Sequence, residues 1–133
     1  MKLRKHYLKY PKKRRFHKHT VRLGTVGFKV CRPKRISHQK QSLLKLIVLK
    51  KTKELIGRKL KIWFFSNCTF NLTKLPLESR MGKGKGEVKN TFAFYRPGYI
   101  LFELQGVSVL EAKKLLRFLN NCKNFKFDLL FNP

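Results

Sequence analysis

The feature that most constrains this chain is the way its charge is divided along its length. Residues 1–35 carry fourteen Lys and Arg and no acid. All six acids come later, at Glu54, Glu78, Glu87, Glu103, Glu111 and Asp128, against 33 Lys and Arg in all, for a formal net charge of +27. A compact body of this charge repels itself unless a polyanion neutralises it. The front of the chain therefore reads as a basic arm that orders on a polyanion, and most of the rest has to contribute to the core. An ordinary solvated surface is the bland alternative, but it would mix both signs. The length of 133 residues, 42% of them hydrophobic, suits a single domain.

Other partners and compartments leave little trace. The apolar runs at Leu43–Leu49 and Ile62–Phe65 are too short to span a bilayer. The N-terminus lacks the apolar stretch of a secretory signal, and its Lys- and His-rich arm has no Ser before Ser37, unlike a cleaved mitochondrial presequence. Cys31, Cys68 and Cys122 form no C-x-x-C pair, and their odd number argues against a disulfide framework, so a reducing compartment is expected. Cys122 falls in a helical pattern and reads as core. Alanine occurs only at Ala93 and Ala112 while Lys, Phe, Leu and Asn abound, a composition that fits A/T-rich codons.

Periodicity places the elements. Tyr7, Tyr10 and Phe16 alternate with cations in residues 1–20, and Pro11 opposes a continuous helix there. Val21–Cys31 reads as one or two short strands with a bend at Gly24 and Gly27. Ser37 is an expected N-cap for a helix with Leu43, Leu44, Ile47, Val48 and Leu55 on one stripe, lysines over the rest and Gly57 just past its end. Lys59–Ser66 is apolar on both faces and is expected as a central strand. Asn67–Asn90 reads as a long loop, and Thr91–Arg96 with Tyr99–Gln105 as a hairpin turning at Pro97-Gly98. Ser108 and Glu111 form a capping box for a helix carrying Val109, Ala112, Leu115, Leu116 and Leu119, with Asn120 and Asn121 near its end. Phe125–Phe131 is the last strand. The expected fold is α+β: two helices packed on a mostly antiparallel sheet, with an arm over 1–20 and one domain over 21–133 that contains the loop 67–90.

The chemistry concentrates in that loop, at Arg80-Met81-Gly82-Lys83-Gly84-Lys85-Gly86. Alternate glycines let a backbone approach a partner closely, and the cations between them suit phosphates. A flexible loop without a role is the alternative. A phosphate-cradling P-loop requires Ser or Thr after the lysine, and a dinucleotide fingerprint requires G-x-G-x-x-G at a strand-to-helix turn; neither is present. His6, His17, His19 and His38 have no acid beside them, and the cations around His17 and His19 oppose a divalent metal. No paired carboxylates or nucleophile motif occur. The expectation is a nucleic-acid-binding protein with no catalytic residue, metal or cofactor. Its candidate contacts are Lys9, Lys12, Lys13, Arg14, Arg15, Lys18, Arg22, Arg35 and the segment Arg80, Met81, Gly82, Lys83, Gly84, Lys85, Gly86.

These residues also resemble a family. Lys61-Ile62-Trp63, the spacing of eighteen residues from Trp63 to Met81, and the R-M-G-K-G-K-G segment are similar to the large-subunit ribosomal protein sixteen family of bacterial type, related to the archaeal and cytosolic ten-e family. So are Arg96-Pro97-Gly98, Ile100-Leu101-Phe102-Glu103 and Gly106-Val107. The resemblance implies a structural constituent of the large ribosomal subunit. It would be held by large-subunit rRNA and neighbouring ribosomal proteins, beside the aminoacyl-tRNA site, with the glycine loop toward the peptidyl-transferase region. Direct tRNA contact would be a consequence of that position; membrane attachment and homo-oligomers would not. Divergence from the family pattern together with the A/T-biased composition looks like a mitochondrial member rather than a plastid one, and the chain begins close to the family's own start, as expected of a protein made inside the organelle. Rival readings are a free tRNA- or DNA-binding basic protein, a phosphate-handling enzyme using the glycine loop, and a membrane-surface protein using Leu43–Leu55.

Overall fold

A computed structural model describes residues 20–32, 34–122 and 125–132. Among the described residues, seven strands and two helices occur in the order β1 (Val26–Val30), β2 (Lys34–Ser37), α1 (His38–Ile56), β3 (Lys61–Phe64), β4 (Phe70–Lys74), β5 (Glu87–Tyr95), β6 (Ile100–Gln105), α2 (Val109–Asn121) and β7 (Phe127–Phe131). This is the α+β class expected from the sequence, but the strands form two sheets. One is four-stranded in the order β3-β6-β1-β7, the other three-stranded in the order β2-β5-β4, and every pairing is antiparallel.

The core lies where the aromatic residues of the larger sheet meet the helices. Phe28 of β1 stacks on Phe102 of β6 with ring centroids 4.5 Å apart, and Phe127 of β7 meets both rings edge-on. Phe28 and Phe102 are fully buried, each worth roughly 1.5–3 kcal/mol relative to exposure. Ala112, Leu115 and Leu119 of α2 join Leu44 and Val48 of α1 in the same cluster.

The helix ends obey local rules. Ser37 accepts from the Lys40 N–H, and Gly57 closes α1 with φ +67°. Ser108 and Glu111 make both bonds of the capping box, at 3.3 and 2.9 Å. Asn120 does more than end α2: its side chain accepts from the Phe127 N–H and donates to the Phe127 carbonyl, fixing the start of β7.

Four expectations need correction. Thr91–Arg96 and Tyr99–Gln105 do not pair as a hairpin. β5 belongs to the small sheet and β6 to the large one, and the Pro97-Gly98 turn carries the chain between them, with the Gly98 N–H bonded to the Val30 carbonyl. β3 is an edge strand rather than a central one; the central place goes to β6, which is buried from Ile100 to Leu104. The stretch 67–90 contains β4 and the start of β5, leaving residues 75–86 irregular; polar Asn71 and Thr73 in a half-exposed edge strand hid it. The buried stripe of α1 is Gln41, Leu44, Val48 and Thr52, while Leu43 and Leu55 are exposed. Polar residues can occupy it because each is satisfied: Gln41 accepts from the Cys68 thiol, and the Thr52 hydroxyl donates to the carbonyls of Val48 and Leu49.

Candidate nucleic-acid interface

The three-stranded sheet carries the candidate interface. Its inner face presents Ile36, Ala93 and Tyr95 to the core. By strand alternation, Arg35, Phe92, Phe94 and Phe70 fall on the outer face, since Arg35 pairs with Phe94 and Phe70 with Phe92. Phe70 stacks on Phe92 at 5.7 Å, Phe94 meets both edge-on, and the Arg35 guanidinium lies 5.4 Å from the Phe92 ring centre. A planar cation on an aromatic layer suits both phosphate contact and base stacking.

The glycine loop leaves one end of this sheet. Arg80, Met81, Gly82, Lys83 and Gly84 are exposed, whereas Lys85 and Gly86 are half-buried where the chain enters β5. Gly82 and Gly84 have φ of +94° and +98°, the left-handed region that other residues rarely adopt. Gly86 serves differently: a Cβ there would lie 2.5 Å from the Lys74 carbonyl, so β4 and β5 close together only over a glycine. Beneath the loop opens a cleft of about 350 Å³ with Lys74, Leu77, Glu87 and Lys89 in its walls. Arg35 and Glu87 lie at opposite ends of the same sheet, about 24 Å apart at roughly 3.4 Å per residue.

Arg22 lies beside the other sheet, just ahead of β1, and its backbone is held there by an acid, which a reading of cationic contacts misses. Glu103, only 2% exposed, accepts three consecutive backbone N–H groups: Arg22 on Oε1 at 3.1 Å, and Leu23 and Gly24 on Oε2 at 2.8 and 2.9 Å. Glu103 lies opposite Gly27 of β1 and Trp63 of β3. The segment 21–24 crosses over this side of the sheet, with Val21 packed where a Gly27 side chain would be. Gly24 passes so close to β6 that a Cβ would come within 2.6 Å of the Leu104 carbonyl oxygen. The carboxylate thus fixes the path of residues 22–24 over the sheet. The signal in the sequence is an acid inside the otherwise apolar run Ile100-Leu101-Phe102-Glu103-Leu104, which demands buried donors.

The sequence-predicted contacts are therefore distributed. Arg35 and the loop share a sheet, Arg22 marks the root of the arm, and Lys9, Lys12, Lys13, Arg14, Arg15 and Lys18 lie outside the described residues, as do His6, His17 and His19. Among the described residues no three His, Cys, Asp or Glu side chains gather as metal ligands, and no helix is long and apolar enough to cross a membrane. Burial pushes the Cys68 thiol and the Tyr95 phenol above their ordinary values, so both stay neutral near pH 7. Cys122, expected in the core, is half-buried just past α2.

Comparison with known proteins identifies the family. Residues 1–127 match the family described as ribosomal protein L16p/L10e. A relative named large ribosomal subunit protein uL16m, from Chondrus crispus, is 36% identical over 126 residues, which is 93% of this chain and 91% of the relative. The chain belongs to the L16p/L10e family of ribosomal proteins, which are structural proteins and not enzymes.

Proposed function

We propose that this chain is a structural constituent of a mitochondrial large ribosomal subunit, binds large-subunit rRNA, and supports the aminoacyl-tRNA site beside the peptidyl-transferase region. The observation that carries the reading is the exposed loop at Arg80–Gly84. It bears Arg80 and Met81 ahead of Gly82 and Lys83 between Gly82 and Gly84, and extends from a sheet whose outer face carries Arg35 on an aromatic layer. Such a loop suits a crevice between RNA helices: Arg80, Lys83 and Lys85 meet phosphates, and the glycine backbone approaches closely. The basic arm, with Lys9, Lys12, Lys13, Arg14, Arg15 and Lys18, supplies further phosphate contacts, and Glu103 holds the backbone of Arg22 that follows it in sequence. The relative named uL16m and the alanine-poor, Lys- and Asn-rich composition support the mitochondrial assignment and synthesis within the organelle. Neighbouring ribosomal proteins complete its surroundings.

The test is the sedimentation of the native protein from organelle lysate at low salt and then at about 0.5 M salt, because loose phosphate contacts weaken steeply with salt. Co-migration with the large subunit at both salts is the expected result. Migration as free protein, with DNA or with membranes would sink the reading and favour a free nucleic-acid- or membrane-binding protein.

A further inference from the structure

Helix α1 has a second apolar face that the domain does not use. Its buried stripe, Gln41, Leu44, Val48 and Thr52, faces the core. Leu43, Leu46 and Leu49 lie on the other side at intervals of three residues, and are 52%, 65% and 48% exposed. Residues three apart form a continuous ridge on a helix. Each leucine has a lysine one turn away: Lys40 before Leu43, Lys50 after Leu46, Lys53 after Leu49. Among the described residues these three lysines have no carboxylate partner, since Glu54 pairs with Lys51. At its N-terminal end the ridge runs into a small apolar groove between α1 and the end of α2, walled by Leu43, Ile47, Leu119 and Phe125 with Lys40 at its edge.

We infer that the Leu43–Leu46–Leu49 ridge docks a protein neighbour through an acidic amphipathic segment, whose apolar side chains cover the leucines and whose carboxylates meet Lys40, Lys50 and Lys53. The inference rests on the ribosomal reading proposed for this chain. Contiguous exposed apolar surface marks a binding face. Leucine neither stacks on bases nor bonds to phosphate, in contrast with the Arg35 and phenylalanine face of the small sheet, so this ridge is ill-suited to RNA. A second copy of the chain would set lysine against lysine. A bilayer surface demands a broad apolar face, and here Gln39, Lys50 and Lys53 interrupt it.

The experiment places a photo-reactive benzophenone residue at position 46 of the full chain, assembles it into large-subunit particles in the organelle, and identifies the adduct in the sedimented particle by mass spectrometry. A protein adduct whose cross-linked segment carries carboxylates flanking apolar residues is expected. A nucleotide adduct, a lipid adduct, a dimer of this chain, or no adduct in a particle that contains the chain would overturn the inference. A Leu46→Lys variant supplies the second readout. Leu46 is mostly exposed, so the fold is retained, as circular dichroism would verify. If the partner is a protein, retention in particles at high salt falls by roughly tenfold, the loss of one buried leucine contact. If it is RNA, the added cation leaves retention unchanged or raises it, which sinks the proposal. Absence of even the native chain from the particle would overturn the ribosomal reading, and the docking inference with it.

Discussion

The root of the arm and the tip of the glycine loop are both glycine-containing, both next to cations, and physically opposite. At the root, a Cβ on Gly24 would collide with the Leu104 carbonyl at 2.6 Å, and three successive N–H groups converge on one buried carboxylate. At the tip, a Cβ on Gly82 or Gly84 would meet nothing within 4 Å, yet both backbones adopt φ above +90°. The root is specified by the interior of this chain. No neighbour among the described residues calls for the glycines at the tip; the positive φ of the backbone does, and on the proposed reading a partner makes use of that exposed path. The same residue type therefore serves packing at one place and backbone conformation at the other, and substitutions should separate the two.

The largest effect is expected at the root. Glu103→Ala leaves the Gly24 N–H buried without an acceptor and frees the Arg22 and Leu23 donors. A loss of about 2–4 kcal/mol in urea unfolding is expected. Glu103→Gln keeps the shape but turns an amide N–H₂ toward a donor, and should fall between wild type and Ala. An Ala variant as stable as wild type would mean that water replaces the carboxylate, and that the root is no more specified than the tip.

The loop offers its own internal contrast. Gly86→Ala forces the Lys74 backbone aside and should cost about 1–3 kcal/mol in the same measurement. Gly84→Val has space around it and meets only the strain of its positive φ, about 1–2 kcal/mol, which an exposed loop can relax. Its thermal midpoint should therefore stay near wild type while subunit assembly or translation is impaired. Normal translation with Gly84→Val would break the assignment of the tip to a partner; a collapse in stability would show that the tip is built into the fold after all.

Legibility in the sequence divides along the same line. Rules confined to a few neighbouring residues were legible: the Ser37 cap, the Gly57 stop, the Ser108–Glu111 box, and the alternating glycines of the loop. Decisions made between distant segments were not. Thr91–Arg96 and Tyr99–Gln105 are adjacent, apolar and joined by a turn dipeptide, so pairing them is the local solution. They separate because β5 finds β2 and β4, and β6 finds β1 and β3, partners up to 78 residues away, as Val26 is from Leu104. Glu103 belongs to the same class: its acceptor role depends on donors 79–81 residues upstream. Candidate cationic residues could be named by type, but which of them join one sheet, as Arg35 and the loop do at its opposite ends, is a property of the strand pairing.

The start of α2 gives the smallest effect and the cleanest control, because its specification is local and involves neither root nor tip. The Glu111 carboxyl is held below its ordinary value of 4.5, first by the Ser108 backbone N–H and then by the Ser108 side chain, Arg58 and Lys114, against an opposing desolvation. A carboxyl lowered in the folded state contributes stability that is present above its ordinary value and is lost as pH falls through the lowered one. Glu111→Gln retains an acceptor for the Ser108 N–H and loses the charge at the helix N-terminus. The variant should therefore unfold at a slightly lower temperature than wild type at pH 7, and the gap should close as the pH drops below about 4.5. A gap that persisted at pH 3 would show that geometry rather than charge is what Glu111 supplies. The cap would then resemble the root at Glu103, where the positions of the acceptor atoms matter, and local sequence rules would carry less electrostatic content than the capping box implies.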